Sequence, residues 1–213
     1  MRTWDAVQDG TLIQHTATTL AEVLGGLSVG FVFATSLGYL LAKSKTVERI
    51  LSPYIVASQS IPIVAIAPLL VIWFGPGRLS KVLISGLIVF FPILINTIVG
   101  VRSVPQDLYD LMRSLRATRW QVFSKLELPA ASPVLLGGLK IGATLSVIGA
   151  VVGELVGADQ GLGFLINIGR GVYDTTLVYV AVISLVVLAL TLFTLVAAME
   201  WWFLKWRDVK TDQ

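Results

Sequence analysis

Apolar residues in this chain come in five long runs separated by short polar stretches. A membrane-spanning helix needs about 20 mostly apolar residues, and runs of that kind lie at roughly 17–42, 54–74, 81–101, 133–154 and 178–200. The first run is rich in small residues (Gly25, Gly26, Ser28, Gly30, Gly38), and the fourth carries Gly137, Gly138, Gly142 and Gly149. Small residues let helix backbones approach closely in lipid, where no hydrophobic effect drives helices together. The second run contains Ser58, Gln59, Ser60, Pro62 and Pro68, and the third Pro92 and Asn96. Prolines there free carbonyls that need protein, water or a cavity beside them. The fifth run is the most uniformly apolar and ends in Trp201, Trp202 and Trp206, which reads as an interfacial belt.

Composition agrees. Of 213 residues 55% are hydrophobic and only 14% charged, with mean hydropathy +0.83. A soluble domain has about a quarter charged residues, so an all-α integral membrane protein is expected, organised as one domain over 1–213. The net charge of +3 suits loops near anionic lipid and points to no nucleic acid partner. With no cysteine and His15 as the sole histidine, disulfides, Cys-based zinc sites and multi-histidine metal sites are excluded. The polar start, with Asp5 and Asp9, shows no cleavable signal, so the first run is expected to serve for targeting. Eleven of the sixteen Lys and Arg fall in 43–53, 102–132 and the C-terminal tail, four (Arg2, Arg78, Lys81, Arg170) on the other side, and Lys140 inside the fourth run. That bias predicts the 102–132 loop and the C-terminus in the cytoplasm and the N-terminus outside.

The 102–132 loop carries its own pattern. Leu108, Leu111, Met112 and Leu115 recur at i, i+3, i+4 and i+7, one apolar stripe of a helix with Arg113 and Arg116 off it. Ser103 and Gln106 have capping-box spacing, although Pro105 disfavours helical geometry at Val104. Trp120, Phe123 and Leu126 continue an apolar face on a second short helix, which Pro129 and Pro133 are expected to end before the fourth span. An interfacial loop without a partner and a docking surface satisfy this pattern equally.

The stretch from Asp110 through Arg113, Ser114, Leu115, Arg116, Ala117, Thr118 and Arg119 to Trp120, followed by Leu128-Pro129-Ala130-Ala131-Ser132-Pro133, resembles the EAA loop. That loop marks permease subunits of binding-protein-dependent ABC importers. Further resemblances follow in order: Thr16 to Leu20, Ser60-Ile61-Pro62, Ala67-Pro68-Leu69, Trp73-Phe74-Gly75, Phe91-Pro92-Ile93 with Asn96-Thr97, Gly153-Glu154 and Gly161-Leu162-Gly163. Together they resemble the nitrate/sulfonate/taurine branch over roughly 11–207. The resemblance implies a type I importer permease core of five transmembrane helices with cytoplasmic coupling helices, in the minimal form without an extra N-terminal span. It also implies an inner-membrane location in a bacterial or archaeal cell.

By the same resemblance, Asp110, Arg113, Ser114, Arg116, Ala117, Thr118 and Arg119 couple to a separate ABC ATPase that binds ATP and Mg²⁺. A second permease subunit, most simply another copy, completes the path, and an extracytoplasmic binding protein delivers substrate. The substrate implied is a small anion such as nitrate, sulfonate or taurine; the alternative is a vitamin or precursor such as hydroxymethylpyrimidine or riboflavin. Two departures stand out. The family usually has Glu-Ala-Ala at Asp110-Leu111-Met112 and Gly at Arg116, where an arginine carries a steric cost if the turn needs positive φ.

No P-loop is present, so this chain is not expected to bind ATP through that motif or to be an enzyme, and it carries no cofactor. The path candidates are the polar residues of the spans: Gln59, Ser60, Asn96, Thr97, Ser146 and Glu154. For each a local reading competes, in which Ser and Thr bond their own helix, Gln59 and Asn96 bridge helices, and Glu154 bonds the 155–177 segment. Lys140 reads either as snorkelling or as a path-lining cation that favours an anion. His15 is expected to be a solvated interfacial residue. Asp107 is expected, with Asp110, to cap or charge-complement the first coupling helix. The segment from Gly157 to Gly171 is expected to be a surface or re-entrant loop. A non-transporting membrane scaffold would also use an amphipathic loop, but would not need polar, proline-broken spans. An ion-coupled carrier is disfavoured because the middles of the runs nearly lack acids.

Charge reversal at the loop tests its role. Arg116→Glu is expected to lower stimulation of the partner ATPase without unfolding the chain; unchanged stimulation in reconstituted vesicles would remove Arg116 from the docking surface.

Overall fold

The computed structural model describes residues 10–205, all helix and turn. The elements are α1 (Thr11–Lys43), α2 (Lys45–Gln59), α3 (Ile63–Phe74), α4 (Arg78–Arg102), α5 (Gln106–Ser114), α6 (Arg119–Val122), a π-helical turn (Phe123–Glu127), α7 (Leu128–Gly157), α8 (Leu162–Gly171) and α9 (Thr175–Leu204). Arg2, Trp206, Arg207 and Lys210, which entered the charge and belt arguments, lie outside the described residues, as do Asp5 and Asp9.

Among the described residues four helices are long and apolar enough to cross a membrane, and the bent pair α2–α3 makes a fifth if counted as one span. This pair corrects the second run. It is not one helix over 54–74 but two helices meeting at 90°. The cause is local: Pro62 disfavours helical geometry at Ile61, and Pro62 itself stands extended at φ −68, ψ 111 before α3 begins. At the other end of α2, Ser44 leaves the helix at φ −129, ψ 103, and its hydroxyl accepts from the Val47 N–H, so one residue ends α1 and starts α2.

The fourth span also differs. Pro129 and Pro133 do not end a short helix; 119–157 is one helical stretch interrupted only by the π turn. The Leu128 N–H bonds to the Phe123 carbonyl five residues back, so the wide turn brings Pro129 in where the usual i−4 pairing is already suspended. The segment 157–171 is not a loop but contains α8, with Leu162 and Leu165 buried.

Helix α4 lies between α1, which runs parallel to it, and α7, which runs antiparallel. Glycines make both contacts close. A Cβ at Gly38 would lie 2.7 Å from the Thr97 Cβ, and one at Gly149 would lie 2.5 Å from the Ser85 Cα. The Ser85 hydroxyl uses this proximity to donate to the Ser146 carbonyl at 2.9 Å. Around these contacts Ala34, Leu41, Val89, Ile93 and Leu94 form one core cluster, and Val23, Ala143, Val147, Ala150, Leu188, Leu192 and Val196 another. Helix α9 exposes Ile183, Val186, Val187 and Leu190, a face suited to lipid rather than water.

Substitution at the contact should be selective. Gly149→Val is expected to destabilise the fold by about 1–3 kcal/mol through overpacking. Gly137→Ala, where a Cβ meets nothing within 4 Å, should be neutral or stabilising by up to about 1 kcal/mol. Thermal unfolding in detergent would separate the two.

Candidate functional site

Two polar clusters sit at opposite ends of α7, each tying it to α1. The first surrounds the candidate coupling loop. Helix α5 buries none of its residues. It starts at Pro105, with no side-chain cap, and Ser103 donates to the Gly100 carbonyl instead of forming the expected box. Asp107 lies in the first turn, where its charge complements the positive end of the helix dipole as expected, and Asp110 pairs with Arg113 at 3.5 Å rather than capping. The helix ends in a Schellman turn: the Ala117 N–H bonds to the Met112 carbonyl at 3.0 Å and the Arg116 N–H to the Arg113 carbonyl at 2.9 Å. That geometry places Arg116 at φ 51, the left-handed region in which a side chain costs about 1–2 kcal/mol. The turn usually made by glycine is therefore made here by arginine without changing its form. Thr118 then begins α6 with a capping box, its hydroxyl accepting from the Gln121 N–H at 3.3 Å while the Gln121 side chain accepts from the Thr118 N–H at 2.8 Å. The box predicted at Ser103 is thus found at Thr118.

Asp110, Arg113, Ser114, Arg116, Thr118 and Arg119 are exposed and Ala117 is half-buried, so the structure brings these candidates together on one open loop. Leu111, Leu115 and Trp120 are exposed with them, at 53%, 68% and 72%. Behind the loop, Glu127 is only 1% exposed. It accepts from the Tyr39 hydroxyl at 2.8 Å and from the Lys43 ammonium. The Lys43 ammonium also lies 5.0 Å from the centre of the Tyr109 ring. Burial, together with the nearby Glu127 charge, pushes the Tyr109 phenol up to about 12. Arg102 grips Glu48 with two bonds, at 2.8 and 2.5 Å, fixing α2 to the end of α4.

The second cluster surrounds Glu154, which is fully buried. It accepts from the Thr19 hydroxyl at 2.6 Å and from the Gly163 N–H at 2.5 Å. The Leu162 N–H donates to the Thr19 hydroxyl at 2.9 Å, and the Gly161 N–H to Nδ1 of His15 at 2.9 Å. Gly161-Leu162-Gly163 is therefore a backbone cradle for a carboxylate within the chain. Gly161 has φ 115, and a Cβ there would overlap the Glu154 carboxyl group. His15, expected to be solvated, is 9% exposed, because its ring accepts from that cradle.

The six path candidates separate. Gln59 and Ser60 are exposed at the α2–α3 bend. Asn96 is half-buried and donates to the Pro92 carbonyl of its own helix. Thr97 bonds the Ile93 carbonyl and stands in the wall of a cavity of about 630 Å³, beside Phe31, Tyr39, Arg119 and Trp120. Ser146 and Glu154 are fully buried within the chain and face no open space. Lys140 neither snorkels nor stands alone: it pairs with Glu200 of α9 at 2.5 Å. Sequence reasoning missed Glu22, Glu127, Tyr39, Lys43 and Thr19. Glu22 was visible as an acid inside the first apolar run, a signal that deserves weight by default. It is 2% exposed, and its Oε2 has no partner among the described residues.

A helical bundle with membrane-spanning helices that presents a short exposed amphipathic helix between two of them has the layout of a transport-system permease. The chain belongs to the family of binding-protein-dependent transport system inner membrane components, which matches residues 26–205. It is a multi-pass inner-membrane subunit of an ABC importer with no catalytic activity of its own, and it works with ATPase and binding-protein partners. It is 47% identical over 205 residues to the riboflavin transport system permease protein RibX of Chloroflexus aurantiacus, covering 96% of this chain and 76% of that one. It is 37% identical over 187 residues to the taurine transport system permease protein TauC of Escherichia coli, covering 86% of this chain and 68% of that one. Its fold is that of a chain in inward-facing structures of the MetNI methionine ABC transporter, with TM-score 0.79, 22% identity, and coverage of 91% and 96% of the two chains. Membership of the family sets aside the scaffold and carrier readings.

The Glu154 cradle makes a sharp prediction. Gly161→Ala is expected to lower stability by about 1–3 kcal/mol from the backbone alone, with further loss as the carboxylate is displaced. Thermal unfolding of the purified variant would read it; an unchanged midpoint would mean the cradle does not hold Glu154.

Proposed function

We propose that this chain forms the translocation path of an importer for a vitamin or vitamin precursor of the riboflavin type. The carrying observation is the 47% identity to a riboflavin permease against 37% to a taurine permease. The first expectation, a small anion such as nitrate, sulfonate or taurine, came from the branch resemblance, with Lys140 leaning slightly the same way, and Glu200 neutralises that charge. A neutral ion pair offers no net field to draw an anion through.

In this reading two copies of the chain enclose the path. The 102–132 loop and the C-terminus face the cytoplasm, as the bias of Lys and Arg favours. Asp110, Arg113, Ser114, Arg116, Ala117, Thr118 and Arg119 meet the ATPase, which holds ATP and Mg²⁺. Closing of the ATPase pair draws the loops together and rocks the spans outward-open. Gln59, Ser60, Asn96 and Thr97 are the path residues that remain, since Ser146 and Glu154 are enclosed.

The test is growth. A riboflavin auxotroph without its own uptake, expressing this chain with the ATPase and binding protein encoded beside it, should grow on low external riboflavin. Failure there, with growth on taurine as sole sulfur source in a matching strain, would return the anion reading.

A further inference from the structure

The Glu127 cluster joins three elements that sequence keeps apart. Glu127 closes the π turn ahead of α7, Tyr39 and Lys43 end α1, and Tyr109 sits in the middle of α5. Glu127 is 1% exposed, whereas the Lys43 side chain is 39% exposed. The cation thus reaches inward from the surface to a carboxylate that is almost fully buried. A buried carboxylate separated from its cation is strongly unfavourable, so α1 and the π turn resist moving apart. Lys43 also carries the link to α5, through the face of Tyr109 at 5.0 Å. Helix α5 buries no residue fully, and this contact is one non-covalent hold of the bundle on it. The π turn itself is a place where helical register can shift by one residue, and Phe123 within it meets the Tyr39 ring edge-on at 5.4 Å.

We infer that Lys43 and Glu127 form a transmission node through which displacement of α5 is passed to α1 and, across the π turn, to α7. The inference rests on the proposed docking of an ATPase at α5. Glu127 and Lys43 are positioning residues, touching neither ATP nor substrate. Without the node, α5 would still bind the ATPase, but its motion would be absorbed in the 103–105 and 115–118 connections.

Because the chain has no cysteine, spin labels can be placed by Asp107→Cys on α5 and Leu40→Cys on α1. In the detergent-solubilised chain alone, the distance distribution is expected to be narrow. It should broaden at least twofold in Tyr109→Leu and in Glu127→Gln, and stay narrow in Tyr109→Phe, which keeps the ring but loses the phenol. In the complex with ATPase and binding protein, Tyr109→Leu should cut riboflavin uptake at least tenfold while ATP hydrolysis falls less than twofold. A narrow distribution in both Tyr109→Leu and Glu127→Gln, or broadening in Tyr109→Phe equal to that in Tyr109→Leu, would overturn the node. Should Glu127→Gln fail to fold, Tyr109→Leu decides alone, since it leaves the buried ion pair intact. If the unaltered chain does not co-purify with the ATPase, the docking reading fails, and the distances in the chain alone still decide whether Lys43 and Glu127 hold α5.

Discussion

The structure depends on how two buried carboxylates are satisfied in a bundle that sits in lipid. Glu127 and Glu154 stand at the two ends of α7, and both are closed to solvent. In such a place an unpaired carboxylate is costly, and both acids have partners brought to them, unlike, among the described residues, the Oε2 of Glu22. At one end they are Tyr39 and Lys43. At the other they are Thr19 and the Gly163 amide. All the side-chain partners come from α1, so the two acids pin α1 along the length of α7. Between the pins, α4 is held by glycine contacts at which an added Cβ would force its neighbours to shift.

This arrangement explains the division of labour along the chain. The pinned bundle of α1, α4 and α7 is the rigid part. Around it lie elements with few ties: α2, which buries nothing and is held by Arg102 and Glu48, and α5, which buries nothing and is held through Lys43. An importer subunit needs such a contrast. The loop that takes up force must be exposed enough to dock, yet connected to helices stiff enough to carry motion across the membrane.

Charges inside the bundle follow the same logic and bear on substrate. Lys140 read alone suggests attraction of anions, but Glu200 lies 60 positions away in sequence and beside it in space. An ion pair of this kind joins α7 to α9 and leaves no net charge. The pairing removes the one side-chain charge in the fourth span that favoured an anion.

Periodicity and composition by themselves determined that the chain is a helical membrane protein, where four of its spans lie, that 106–114 is an amphipathic helix, and that a strained arginine would follow if the turn after it kept its form. These are local properties: run length, stripe spacing and the conformational range of one residue. The tertiary structure alone decided that the second run bends by 90°, that Pro129 continues a helix through a π turn, that Gly161-Leu162-Gly163 cradles Glu154, that Glu127 and Glu22 are buried, and that Lys43 reaches in from the surface to pair with Glu127. The reason is physical. Whether a polar side chain is a path residue, a pin or a surface group depends on what faces it. In this bundle many of the facing groups lie 54 to 146 positions away in sequence, beyond the reach of any local pattern.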